Sequence, residues 1–274
     1  MLLKEIIPSH IVSNFVRLYR IIDFKFPMGG PIPPKAYTPR PEQCLQFFIT
    51  PTSIHYPGTG EVVIPQNALL VGQHTVTNNR TVFSKFLSLQ VVFQPGALYR
   101  LLGIPQPVFS NQAIQAGEVM GSDIALVNEQ LFHAKDYQSM IDIVETFVIR
   151  KINNVQKEQH HLDRMTLQML LPDQANTLDW YVRNTYLGHR QFDRKFTERM
   201  GVGAKEFMRV CRFDNAYRMK NRYPEKDWLT IAVHCGYHDY QHLARDYKDF
   251  TGHTPARFFA LDSPERILGS EEVY

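Results

Sequence analysis

The C-terminal third of the sequence echoes itself at a spacing of 51 residues. Leu178 pairs with Leu229, Val182 with Val233, Tyr186 with Tyr237 and Phe192 with Leu243. The register continues through Arg194 and Arg245, Phe196 and Tyr247, Gly201 and Gly252, and Phe207 and Phe258. Each copy reads apolar-x-Arg-x-aromatic, then four residues, then Gly. A repeated unit must bury its apolar side against a neighbour, so the duplication implies two small modules on one scaffold. An arginine at the same place in both copies directs attention to a charged ligand met twice.

Within each copy the pattern predicts a short helix, a turn and a second helix. The first turn is Tyr186-Leu187-Gly188, and the second is Cys235-Gly236-Tyr237-His238. Asp239 suits the N-cap of the helix that follows, and Gly188 is a weaker cap at the matching place. Phe192 and Phe196 in the first copy, and Leu243, Tyr247 and Phe250 in the second, fall on one inward face. The opposite face carries Arg190, Asp193, Arg194 and Thr197 in the first copy, and Gln241, Ala244, Arg245 and Lys248 in the second.

Long polar and cationic side chains on a helix held out by a short supporting helix can reach base edges in a major groove. Arginine matches the two acceptors of guanine, and glutamine matches adenine. Asp193 has two readings, accepting from a cytosine amine or holding Arg190. His242 is expected beside the DNA backbone. Lys205 to Arg222 contains no Pro or Gly and stops at Tyr223-Pro224, which predicts one connector helix. It would hold the two reading helices about one DNA turn, roughly 34 Å, apart.

The charge distribution agrees. From Arg183 to Arg222 there are 11 lysines and arginines against 4 acids, a balance of +7, which leaves −4 for the rest of a chain of net charge +3. A basic module on a mildly acidic body is the electrostatic footprint of a nucleic-acid binder with a separate partner domain.

The first 110 or so residues read as mostly β. Leu87, Leu89, Val91 and Phe93 alternate onto one face, the period of a half-buried strand. Leu45 to Ile49, Val62 to Ile64 and Ala68 to Val71 are further short apolar runs between turn signals. Pro27 to Pro41, with six prolines and two glycines, reads as a loop. After Pro95-Gly96 the period becomes helical, and Tyr137, Ile141, Val144, Phe147 and Val148 predict a helix to about Ile152, capped by Asp136. The fold class is therefore α+β. Residues 1–152 form a β-rich barrel or sandwich with helices, 153–161 a polar linker, and 162–274 an all-α domain of two helix-turn-helix units joined by a connector helix.

The C-terminal residues also resemble the AraC/XylS-type transcriptional regulators over about 176 to 259. The resemblance is carried by the run from Leu187 to Phe196 and by Arg212-Phe213 with Ala216. Further on it includes Ile231-Ala232, Gly236-Tyr237, Asp239, His242-Leu243, Arg245-Asp246-Tyr247-Lys248 and Gly252-His253-Thr254-Pro255. Gly188 stands where that family usually has Ser, Val182 where it has Ala, and Tyr237 and Tyr247 where it has Phe. The resemblance implies sequence-specific binding to double-stranded DNA, a homodimer on two half-sites and contact with RNA polymerase. The run from Val91 to Gly103, with Val71-Gly72-Gln73, resembles a poorly characterised domain found ahead of such modules. That resemblance implies effector sensing, dimerisation or both, and supplies no ligand.

Other classes fit less well. No nucleophile elbow, phosphate loop or His-Glu zinc helix occurs, so no catalytic residue or cofactor is expected. The nearest rival is a small-molecule-binding or sugar-modifying β-barrel enzyme fused to a DNA-binding module. His234, His238 and His242 recur every four residues, but Gly236 and the expected turn separate the first two, so no metal site is assigned. His160-His161 is expected to be solvated. Cys44, Cys211 and Cys235 share no metal or disulfide spacing and read as small buried hydrophobes. Glu5 and Pro8 interrupt any secretory apolar stretch, and no run approaches the length of a membrane span, so a cytoplasmic location is expected.

Overall fold

The structure, a computed structural model, describes residues 2–25, 34–171 and 176–261. The N-terminal half contains β1 (Leu2–Ile6), β2 (Val16–Lys25), β3 (Lys35–Tyr37), β4 (Cys44–Phe48), β5 (Thr52–Tyr56), β6 (Glu61–Val63), β7 (Ala68–Val71), β8 (Asn78–Val82) and β9 (Lys85–Phe93). There follow α1 (Ala97–Leu102), a 3-10 turn (Gln106–Phe109), β10 (Ala113–Gln115), α2 (Ala116–Met120), α3 (Asp123–Phe132) and α4 (Tyr137–Ile152). The C-terminal half is helical: α5 (His161–Met169), α6 (Leu178–Asn184), α7 (His189–Met200), α8 (Ala204–Arg222), α9 (Trp228–His234), α10 (Tyr240–Thr251) and α11 (Pro255–Leu261).

The strands form two antiparallel sheets, six-stranded in the order β1-β2-β9-β4-β7-β10 and four-stranded in the order β3-β8-β5-β6. β9 pairs with both β2 and β4. Leu89, Val91 and Phe93 on β9 pack toward α1–α4, where Val144 and Phe147 of α4 join the same core. Phe86 and Val92 point the other way and meet Ile54, Tyr56 and Val82 of the second sheet. β9 is therefore covered on both faces, not half-buried as its alternation suggests. The alternation sorts two apolar layers, one under the helices and one between the sheets. Asp136 caps α4 as expected, accepting from the Ser139 N–H at 2.7 Å.

The first part of the Pro27 to Pro41 loop lies outside the described residues, and Lys35–Tyr37 within its second part pairs with β8 as an edge strand. Between Asn153 and His160 the chain carries neither helix nor strand. It is nonetheless tied down, since the Gln156 and Lys157 N–H groups both donate to the Arg100 carbonyl. His160 is not simply solvated. Its Nδ1 accepts from the Leu162 N–H at 3.1 Å, and Asp163 returns the favour to the His160 N–H, forming a capping box on α5.

Two aromatic cores share the connector α8. Ala204, Phe207 and Cys211 on its first half join Phe192, Phe196 and Tyr181, together with Leu162 and Met165 of α5. Phe213, Ala216 and Tyr217 on its second half join Leu243, Tyr247, Phe250 and Phe258. All three cysteines are free and buried. No helix of the described residues is long and apolar enough to cross a membrane.

Candidate nucleic-acid interface

Each long helix of the repeat stands on a shorter one, α7 on α6 and α10 on α9. The short helices match at 50 residues, not 51. Thr177 and Asp227 are their N-caps, accepting from Trp180 N–H at 3.3 Å and Thr230 N–H at 2.9 Å. The buried counterparts are Tyr181 with Ile231 and Val182 with Ala232. The chain then turns through a left-handed residue, Tyr186 at φ 56° in the first copy and Gly236 at φ 77° in the second. The 51-residue register begins only at Gly188 and Asp239, the N-caps of α7 and α10. The second turn thus contains one extra residue. Three of the sequence pairings are corrected by this. Val182 is buried while Val233 is 62% exposed, Leu229 is exposed, and Tyr186 is 91% exposed while Tyr237 is buried.

From α7 onward the repeat is faithful. Both long helices end at a left-handed glycine, Gly201 and Gly252, which spares a Cβ clash in that conformation. Phe192 and Phe196, and Leu243, Tyr247 and Phe250, face inward as expected. Arg190, Asp193 and Arg194 on α7 are exposed and Thr197 is half-buried. On α10, Gln241, His242, Arg245 and Lys248 are exposed and Ala244 is half-buried. Asp239 accepts from the His242 N–H at 2.8 Å, and this backbone hydrogen bond holds its carboxyl below the usual range. Gly188 offers α7 no side-chain cap.

Asp193 does not take the second of its two readings, that of holding Arg190. No salt bridge joins them among the described residues. Its Oδ1 lies beside Gly203, where an added Cβ would sit 3.5 Å away, at the uncapped start of α8. A carboxylate there complements the helix dipole. His238 and His242 stack with ring centroids 6.0 Å apart, and no group of three metal-ligating side chains occurs among the described residues.

The basic stretch is not all surface. Arg199 and Lys220 are buried, the first on Asp163 and the second capping the Pro224 and Lys226 carbonyls. Arg209 and Arg218 pair with acids. Arg183, Arg190, Arg194, Lys205 and Arg222 remain exposed. The counted charge therefore overstates the field at the reading face.

The β-rich half grips the far ends of both long helices. At the C-terminus of α7, the Gln43 amide donates to the Met200 carbonyl at 3.4 Å and the Ser110 hydroxyl to the Gly201 carbonyl at 2.7 Å. The Tyr99 hydroxyl donates to Glu198 at 3.0 Å. At the end of α10, the Thr77 N–H and hydroxyl both donate to the Phe250 carbonyl, at 3.1 and 2.7 Å. The N-terminal halves, with the exposed arginines and Gln241, are left outward. None of these contacts has a local sequence signal, because each joins segments far apart in the chain.

Sequence reasoning also missed a pocket at the edge of the sandwich. Its walls are Leu3, Ile22, Phe24, Val82 and Phe86, its polar side includes Arg20 and Arg80, and Tyr217 of α8 closes it. Arg20 is held by Glu5 and Glu42, each at 2.7 Å, and by Gln90 at 2.8 Å. Burial alone would raise the Glu42 carboxyl, but Arg20 outweighs it and holds the group far below the carboxylate range. Arg80 is different. It is buried, stacks 3.8 Å over the Tyr37 ring and donates to Gln46 at 2.8 Å, yet among the described residues no carboxylate pairs with it and its Nε has no partner.

A β-sandwich joined to two helix-turn-helix modules on one connector defines a DNA-binding transcription regulator. Residues 181–260 match the family model described as "Helix-turn-helix domain" and form a domain of the AraC type. Over most of the chain the fold is similar to that of ToxT from Vibrio cholerae bound to (E)-4-(8-methylnaphthalen-1-yl)but-3-enoic acid, at 7% identity, with 89% of this chain and 99% of that one covered and a TM-score of 0.50. Apo ToxT from the same organism gives 10% identity, coverage of 89% and 98%, and a TM-score of 0.49. ToxT bound to an unsaturated fatty acid gives 9%, 88% and 94%, and 0.49. No curated protein matches the chain.

Proposed function

We propose that this protein is an effector-responsive regulator that reads a specific, asymmetric DNA half-site with α7 and α10. The observation that carries the reading is the match of fold without a match of outward residues. Arg194 and Arg245 occupy equivalent exposed positions, while Arg190 stands against Gln241, Asp193 against Ala244 and Thr197 against Lys248. Residues 1–152 are the sensing and dimerisation part, 162–274 the DNA-binding part, and 153–161 the link between them. A homodimer on paired half-sites and contact with RNA polymerase in the cytoplasm complete the reading.

The effector belongs in the pocket beside Arg80. An apolar wall with a buried guanidinium that no carboxylate among the described residues neutralises suits an amphipathic anion, because a bound carboxylate would satisfy a charge that is costly to bury alone. ToxT, of similar fold, is bound in one structure to an aromatic butenoic acid, which agrees with this choice. Tyr217 at the same pocket belongs to the connector, so an occupant would touch the DNA-binding half directly.

Two measurements test the proposal on the full-length protein. Selection from a random duplex library should return one asymmetric motif, and recovery without base preference would overturn the DNA reading. Titration with oleate should raise the melting temperature of the wild type and leave Arg80→Met unmoved. An equal response in both would remove Arg80 as the anion partner.

A further inference from the structure

Apolar packing places α10 against α8 but does not settle its roll, because burial of Leu243, Tyr247 and Phe250 is not directional. Roll matters for reading DNA. A turn of about 20° about the helix axis carries an arginine tip roughly 3 Å, enough to lose a hydrogen bond. Something directional must hold the helix.

Arg209 on α8 is that group. Its Nε donates to Asp246 Oδ1 at 2.9 Å, and its Nη2 reaches the same oxygen at 2.8 Å and Asp249 Oδ2 at 2.5 Å. Its Nη1 donates to Glu206 on its own helix at 2.9 Å. The guanidinium carbon lies 5.1 Å from the centre of the Phe250 ring. Asp246 and Asp249 are one turn apart, and they flank Lys248, with Arg245 just before them. They occupy the side of α10 between its buried and its outward face. A planar fork bound to both fixes angle as well as distance.

The first copy lacks this pair of carboxylates on its reading helix, and its own fork, Arg199 on Asp163, ties α7 to α5 instead of to α8. Lys195 and Glu198 stand where Asp246 and Asp249 stand in the second, and Glu198 takes its hydrogen bond from Tyr99 of the β-rich half. The end of α10 also touches that half, through Thr77, but at a main-chain carbonyl on the axis of the helix.

We infer that Arg209 is a positioning residue for DNA recognition, setting the roll of α10 so that Arg245 and Gln241 face the base edges, independently of the β-rich half. The inference rests on α10 being a reading helix. The test separates the two. Binding sites are selected from a random duplex library with full-length wild type, Arg245→Ala, Arg194→Ala, Arg209→Met, Arg209→Lys and Asp249→Asn, alongside melting curves of each.

Arg245→Ala identifies the base positions read by α10. Arg209→Met is expected to lose about tenfold preference at those positions, the scale of one good base contact, and to keep preference at the Arg194 positions. Arg209→Lys, which keeps the charge and loses the fork, should recover part of it. If Arg209→Met does not fold, Asp249→Asn, at a half-exposed site, should give a smaller shift at the same positions. Unchanged preference there in both variants overturns the positioning role, as does a loss spread evenly over all positions. No effect of Arg245→Ala itself would instead overturn α10 as a reading helix.

Discussion

Arg199 and Asp163 form a buried bidentate pair, with both N–O distances at 2.5 Å, although Arg199 belongs to the reading helix α7 and Asp163 to α5. The guanidinium also lies 4.7 Å from the centre of the Tyr99 ring and donates to the Glu158 carbonyl at 3.3 Å. Asp163 is the acid of the α5 capping box. Gly96, at φ 74°, sits against it so closely that a Cβ would come 2.2 Å from Oδ1. One ion pair thus joins the β-rich half, the polar segment before α5 and the reading helix.

Arg199→Met should be strongly destabilising, by about 3–5 kcal/mol, because it strands Asp163 without its counter-charge. Gly96→Ala should damage the same junction from the other side. Urea denaturation checks both. A loss of less than about 1 kcal/mol for Arg199→Met would place the pair among surface-like interactions.

His74 should make stability depend on pH. Burial pushes its pKa down to about 4, from a usual value of 6.5, with the nearby Arg80 also lowering it. The neutral ring is fully satisfied, with Nδ1 2.9 Å from the Gly72 carbonyl and Nε2 paired with the Tyr56 hydroxyl at 3.0 Å. Between those two pH values the unfolded chain takes up a proton that the folded chain refuses. Stability is therefore full above about pH 6.5, falls as pH drops toward 4, and flattens below. His74→Gln should remove that slope in denaturation measured from pH 7 to pH 4. A slope as steep as in the wild type would contradict it.

The caps of the two reading helices are unequal, and stability should report it. Asp239→Ala should cost about 1 kcal/mol, whereas Gly188→Ser should gain a few tenths of a kcal/mol. Chemical denaturation of the two variants gives both signs. Equal and negligible effects would mean that packing alone holds the helix starts.

The cations outside the reading faces should contribute affinity without base choice. Arg183→Ala should weaken binding to all duplexes alike and reduce the slope of log affinity against log salt by about 1. Binding isotherms at several salt concentrations measure it, and a slope unchanged from the wild type would place Arg183 away from phosphate.

Much of the C-terminal half was legible because its signals are local. The Phe192, Phe196 and Leu243, Tyr247 faces, the Asp239 cap and the unbroken Lys205 to Arg222 helix all follow from spacing within one or two turns. The offset of 50 across α6 and α9 was not legible. Leu229 and Val233 happen to match Leu178 and Val182 at 51, and sequence identity there outvoted the burial pattern of Tyr181 and Ile231. In β2 the charged residues Arg17, Arg20 and Asp23 fall three apart, which masks a two-residue period; their partners Glu5, Glu42 and Tyr137 lie on other segments. The same non-locality hid Arg80, whose meaning depends on the lack of a carboxylate partner among the described residues. Arg199 did give a hint, since a cation one turn from Phe196 on the buried side requires a partner somewhere.

The asymmetric half-site is tested most directly by the base preferences of Arg194→Ala and Arg245→Ala, measured on the full-length protein against a library of single-base variants of its selected site. Each should lose about 1–3 kcal/mol of discrimination, at positions that do not overlap and lie about one DNA turn apart. Loss at the same positions in both variants, or preferences unchanged from the wild type, would contradict two divergent reading faces on one duplicated fold.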